Sequence, residues 1–167
     1  REMCLEVKSH ASAMQNWRLM TEEELLYEAA VCIFGSQMVF EMAIATADRL
    51  RERRLLQPAL RDRKVEVIER KVVEARPRFK NRLASLLATT IVEIYGQSRT
   101  IRGFLFDAES AREARETLTQ HVWGFGPKQA SLFLRRVDYC ADLAVLDVHV
   151  LDYLQLARGL SLSSSKL

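Results

Sequence analysis

The stretch His121-Val122-Trp123-Gly124-Phe125-Gly126-Pro127-Lys128 decides the fold. Two glycines within three residues punctuate it, and helical periodicity runs up to it and away from it. Ahead of it, Asp107 reads as the N-cap of a segment whose apolar positions Ala111, Ala114 and Leu118 recur at helical spacing. Behind it, Ala130, Phe133 and Leu134 carry the same period from Gln129 to Val137. Helix, Gly124-Phe125-Gly126 turn, helix is the pattern of a helix-hairpin-helix over residues 113–137. Its physics suits a phosphate, because glycines let the backbone come close and the N–H groups opening the second helix point outward with the positive end of its dipole. Such a turn grips a DNA backbone without reading bases. Glycine also ends roughly a third to a half of helices for purely structural reasons, so the turn alone permits either role.

Outward from the hairpin the chain reads as helical almost throughout. Thr21-Glu22-Glu23-Glu24 has the form of a capping box, and Leu25, Ala29, Cys32 and Ile33 follow on one face. Gly35-Ser36 is expected to end that helix and cap the next, which carries Phe40, Ile44, Ala47 and Leu50 before the break at Pro58. A basic helix with the stripe Val65, Ile68 and Val72 comes third. After Pro77, Arg78-Phe79 is expected to open a long helix with Leu83, Leu86, Leu87, Ile91 and Ile94 inward, ended by Gly96. Ile101 to Phe106 read as an apolar patch, Asp138 to Ala144 as a loop, and Asp147 as the start of a last helix from Val148 to Leu156. No segment alternates in polarity for long enough to make a strand. The fold expected is all-α, a helical bundle of two lobes within a single domain over residues 1–167.

Composition bounds the possibilities. Hydrophobic residues at 49% and charged residues at 28% exclude disorder and a bare charged tail. A net charge of +3, from 25 Lys+Arg against 22 Asp+Glu, is too small in bulk to argue for a nucleic-acid partner. The arginines between Arg49 and Arg82 interleave with Glu and Asp, so that stretch reads in part as a solvated helix face. No apolar run nears the ~20 residues that span a bilayer, and no secretion signal is visible, so no membrane partner and a cytoplasmic location, nucleoid-associated if the source is prokaryotic, are expected. Cys4, Cys32 and Cys140 lack CxxC spacing, and His10 and His121 have no partner pattern, so neither a disulfide framework nor a metal site is expected. The chain lacks an initiator Met and ends in a serine-rich tail, which reads as a fragment.

Chemistry enters with Lys128, in the first turn of the second hairpin helix, and Asp147, at the start of the next. The positive field of a helix N-terminus favours the neutral, nucleophilic form of an amine. An amine that attacks the anomeric carbon of a sugar, with a carboxylate offsetting oxocarbenium charge, would cleave an N-glycosidic bond. Structural roles compete: an Asp at a helix start is by default an N-cap, and a Lys beside a turn is by default solvated or a phosphate contact. Trp123 stays open as a base-stacking group, whereas the spacing of Phe133 favours the core.

The run from Gly124 through Arg135, followed by Ala144-Val145-Leu146-Asp147-Val148-His149-Val150-Leu151, resembles the helix-hairpin-helix and aspartate segment of the 8-oxoguanine DNA glycosylase/AP lyases of the HhH-GPD superfamily. It is most similar to their small second type from archaea and some bacteria. Residues 30–37 and Arg78-Phe79-Lys80-Asn81-Arg82 resemble that group's first helices and its arginine-phenylalanine segment. The resemblance implies that Lys128 forms a Schiff base with the sugar and that Asp147 assists. It implies base removal followed by β-elimination on double-stranded DNA containing a damaged base, by a monomer, with no metal or organic cofactor in the chemistry. It implies DNA contacts at Gly124, Phe125, Gly126 and Arg78, a polar wedge at Gln37, and a structural monovalent cation on hairpin carbonyls such as Val122 and Gly124. His149 is then a structural or DNA-side polar group. Members of the group continue with further helices past the aspartate, where the oxidised base is read; here a helix and the serine tail follow, so the chemistry is better supported than the lesion. The alternative is a non-catalytic or repurposed helix-hairpin-helix DNA-binding module, such as a defence-system accessory.

Overall fold

Thr21 begins the first helix as its pattern predicts. Its hydroxyl accepts the Glu24 amide at 3.2 Å while the Glu24 carboxylate accepts the Thr21 amide at 2.6 Å, so both halves of the capping box are made. That helix, α1 (Glu22–Gly35), buries Leu25, Leu26 and every residue from Ala29 to Phe34. In the computed structural model, which describes residues 16–75, 81–141, 143–145 and 153, there follow α2 (Phe40–Glu52), a 3-10 turn (Pro58–Asp62), α3 (Val65–Ala75), α4 (Asn81–Gly96), α5 (Ile101–Asp107), α6 (Ala111–His121) and α7 (Pro127–Arg136). Among the described residues all regular structure is helical. No helix there is long and apolar enough to cross a membrane.

One continuous core joins these elements, and α1 lies at its centre. On one side are α2, the 3-10 turn, α3 and α4, and on the other α5, α6 and α7; α1 touches α2 and α4 from the first group and α5 and α7 from the second. This is the two-lobed bundle expected, with α1 shared. Two charged groups fasten it. The Glu22 carboxylate accepts the Tyr95 hydroxyl at 2.9 Å and the Ile101 and Arg102 amides, capping α5 from the start of α1. Burial is the main cause that pushes the Tyr95 hydroxyl far above its ordinary pKa, with the Glu22 charge adding to it. Farther along α1, Glu28 pairs with Arg136 of α7 in a largely shielded contact, and the guanidinium lies 4.9 Å from the centre of the Phe40 ring. By contrast Arg51–Asp48 and Arg70–Glu74 are exposed pairs along one helix, the solvated faces anticipated for this basic stretch.

Three boundaries differ from the sequence reading. Ser36 does not cap α2: its hydroxyl donates back to the Ile33 carbonyl at 2.7 Å, and α2 starts at Phe40 after Val39 with no side-chain cap. Residues 101–107 are a helix, nucleated by the Thr100 cap and by Glu22. Asp107 is therefore a last helical residue, and Ser110 caps α6 by accepting the Glu113 amide at 3.2 Å. The expectations at Arg78-Phe79, Asp147, His149, Cys4, His10 and the serine tail fall outside the described residues, as does the last helix except for Tyr153, which is helical.

Helix ends explain part of the mismatch. α2, α4 and α7 each close with paired backbone bonds of the Schellman type, Leu55 to Leu50, Arg99 to Ile94 and Tyr139 to Leu134 being the one of each pair that spans more residues. The residue in the left-handed conformation is Arg54 (φ 55°), Ser98 (φ 57°) and Asp138 (φ 54°), none of them glycine. A left-handed L-residue costs about 1–2 kcal/mol, of which glycine's extra unfolded entropy returns about 0.5–1. Arg54→Gly and Ser98→Gly are therefore each expected to stabilise the protein by about 0.5–1 kcal/mol, read as a higher urea midpoint at unchanged m-value. At the capping box, the Thr21 amide and then its hydroxyl hold the Glu24 carboxyl below its ordinary 4.5. A depressed carboxylate stabilises the fold above its unfolded pKa and loses that contribution as pH falls through the folded value. Glu24→Gln is expected to flatten the loss of stability below about pH 4.5, measured by denaturation at stepped pH.

Candidate functional site

The hairpin is built by docking a turn on α4. Leu86, Thr90 and Glu93 lie three or four residues apart on that helix and so share one face. Thr90 is fully buried, and its hydroxyl accepts the Trp123 amide at 3.0 Å while donating to the Leu86 carbonyl at 2.8 Å. Glu93 accepts the Trp123 indole N–H at 2.7 Å, which fixes a ring that is 47% exposed. Gly124 then takes φ +92°, and a Cβ on it would sit 3.1 Å from Leu86 Cδ1 and 3.6 Å from Ile33 Cγ2. The turn is thus threaded against the end of α1 and the first half of α4, where an L-residue would be strained by its positive φ and would have to displace Leu86.

Phe125 points inward from the turn. Its ring is 7% exposed and packs 5.7 Å from the fully buried Phe133, while its amide donates to the Val122 carbonyl at 3.0 Å. The side chain is a core anchor, because an aromatic ring gains more from burial than the short turn offers outside. Gly126 is the N-cap of α7 without a side-chain cap, and Pro127 stands in its first turn, where a missing N–H costs nothing. Lys128 follows in that first turn, partly exposed, where the sequence put it.

Gln37 lies exposed in the turn between α1 and α2, its amide donating to the Phe34 carbonyl at 3.1 Å. It is not in the first turn of a helix. Because Ile33 abuts Gly124, the Gln37 turn and the hairpin turn occupy the same end of the molecule. His121, at the end of α6, stacks on Phe104 at 4.9 Å and lies 3.4 Å from an Arg99 nitrogen. Cys32 is fully buried, and burial pushes its thiol up to about 12, so it stays protonated and offers no competing nucleophile. Among the described residues no cluster of His, Cys, Asp or Glu is arranged to hold a metal. Sequence reading missed Thr90 and Glu93; the available signal was a threonine inside the apolar stripe Leu83, Leu87, Ile91 and Ile94.

A glycine turn docked between two helices, with a lysine in the first turn beyond it, defines a helix-hairpin-helix protein. A family model described as 8-oxoguanine DNA glycosylase matches residues 7–165. An 8-oxoguanine DNA glycosylase/AP lyase of Thermoplasma volcanium is 30% identical over 136 residues, covering 80% of this chain and 59% of the relative. Two crystal structures from Methanocaldococcus jannaschii share the fold: an 8-oxoguanine DNA glycosylase (TM-score 0.74, 22% identity, 100% of this chain and 72% of that one) and an 8-oxoguanine glycosylase/lyase with a 15mer DNA containing 8-oxoguanine (TM-score 0.73, 21% identity, 100% and 75%). The chain belongs to the 8-oxoguanine DNA glycosylase family.

The two hairpin glycines are expected to respond differently to substitution. Gly124→Ala strains the positive φ and pushes on Leu86, costing about 1–3 kcal/mol of stability. Gly126 has negative φ, and its Cβ would meet nothing closer than Gln129 Oε1 at 3.8 Å, so Gly126→Ala is expected to cost under about 1 kcal/mol. Thermal unfolding measures both.

Proposed function

We propose that this chain excises 8-oxoguanine from double-stranded DNA as a glycosylase with AP lyase activity. The observation that carries the reading is the place of Lys128 in the first turn of α7, directly beyond a glycine turn built for close backbone approach. The names of the relatives and the DNA-bound structural neighbour support the same substrate.

The chemistry follows from an amine at that place. DNA held across the Gly124-Phe125-Gly126 turn brings its backbone to the start of α7, where the helix dipole favours phosphate. The damaged nucleotide leaves the stack, and Gln37, at the same end of the molecule, is a polar group that would fill the gap. The Lys128 amine attacks C1′ of the sugar, the C1′–N bond breaks, and the base departs with the bonding electrons and a proton. The ring-opened sugar is left as an imine on Lys128. The imine acidifies the C2′ hydrogen; its removal expels the phosphate on C3′, and water releases the lysine. Asp147 supplies negative charge opposite the oxocarbenium-like sugar. The Val122 and Gly124 carbonyls suit a structural monovalent cation, since Val122 keeps a second lone pair beyond the one taken by the Phe125 amide. Such an ion would neutralise backbone phosphate charge at the turn.

Borohydride trapping tests this reading on duplexes carrying 8-oxoguanine or an abasic site. The wild-type chain is expected to form a covalent adduct, and Lys128→Gln to lose it while still binding the duplex. Intact duplex binding with no wild-type adduct on either substrate would instead identify a binding module.

A further inference from the structure

The hairpin turn is held from outside the hairpin. Within it, the Val122 amide bonds to the Leu118 carbonyl and the Phe125 amide to the Val122 carbonyl, whereas the Trp123 amide between them reaches across to Thr90. Thr90 lies 33 residues earlier, fully buried on α4, and its single hydroxyl proton is directed to the Leu86 carbonyl. That leaves the oxygen as a fixed acceptor aimed at the turn. The Trp123 carbonyl lies 3.5 Å from the same oxygen, so both sides of Trp123 stand against one buried atom. One helical turn on, Glu93 takes the indole N–H. The next peptide is the one at which Gly124 turns to φ +92°.

We propose that Thr90 is a positioning residue for the hairpin turn: by accepting the Trp123 amide it sets the peptide from which Gly124 turns, and so where the turn and Lys128 meet a DNA backbone. This placement rests on the reading of Lys128 as nucleophile for its catalytic part, and on the hairpin as DNA grip for its binding part. A valine at position 90 keeps the shape and removes the acceptor, so the Trp123 N–H faces a methyl group and the turn loses its backbone anchor on α4 while the Glu93–indole contact remains.

The test uses the full chain with Thr90→Val, Thr90→Ser and Thr90→Ala. Three quantities are measured below the melting temperature of each variant: the folded fraction by circular dichroism, affinity for an undamaged duplex by anisotropy, and the rate of borohydride trapping at saturating abasic-site duplex. With the folded fraction unchanged, Thr90→Val is expected to weaken duplex binding and slow saturated trapping by about tenfold each. Thr90→Ser, which keeps the acceptor, is expected to restore both. A valine variant that melts earlier but binds and traps at the wild-type level overturns the proposal, since the hydroxyl then serves stability alone. If the valine variant does not fold, the alanine variant is judged by the same two rates. If the wild type binds duplex without trapping, the Lys128 reading fails separately and Thr90 is judged on affinity: a serine-rescued loss supports it and unchanged affinity overturns it.

Discussion

Gly124 sits with φ +92° where an added Cβ would come within 3.1 Å of Leu86 and 3.6 Å of Ile33, and the hairpin depends on that close approach. The turn packs against the end of α1 and the face of α4, and a residue without a side chain does so without strain or displacement of Leu86. Once it has packed, the rest is placed by short steps. Phe125 drops into the core against Phe133, Gly126 opens α7, and Lys128 comes up in the first turn beside the region that a phosphate backbone would occupy. Moving the turn by a fraction of an ångström moves all of these together, because a packed core transmits strain and does not absorb it.

Behind the turn stands α1. Its buried Leu25, Leu26, Ile33 and Phe34 are each worth about 1.5–3 kcal/mol of transfer free energy, against ~0–1 for an exposed ion pair such as Arg51–Asp48. Apolar burial therefore decides that α1 is central, and charge decides details of docking. Glu22 gives α5 its start, and Glu28 ties α7, and with it the hairpin, to the same helix that buttresses Gly124. The small net charge of +3 goes with a surface on which basic residues such as Arg51, Arg70 and Arg112 are paired with neighbouring carboxylates.

Much of this was legible in the sequence because the signals are local. The capping box at Thr21, the hairpin over 113–137 and the place of Lys128 all depend on contacts within a few residues, where period and turn chemistry speak directly. The α5 helix was not legible, because its start is completed by a carboxylate 79 residues earlier in the chain. Nor were the left-handed closures at Arg54, Ser98 and Asp138, where the usual glycine is missing and the geometry is imposed by the paired backbone bonds. The packing of Phe125 on Phe133 was not legible either, because a ring set between two turn glycines carries no helical period.

By itself, then, the sequence determined an all-α chain, its hairpin and the lysine that follows it, since helical periodicity and glycine turns act over one or two turns of chain. Tertiary structure alone decided that the hairpin is clamped by Thr90 and Glu93, that Gln37 shares its end of the molecule, and that Phe125 is an anchor. The physical reason is distance along the chain: a buried hydroxyl 33 residues from its partner leaves no periodicity, and only packing α4 beneath the turn brings the two within 3.0 Å.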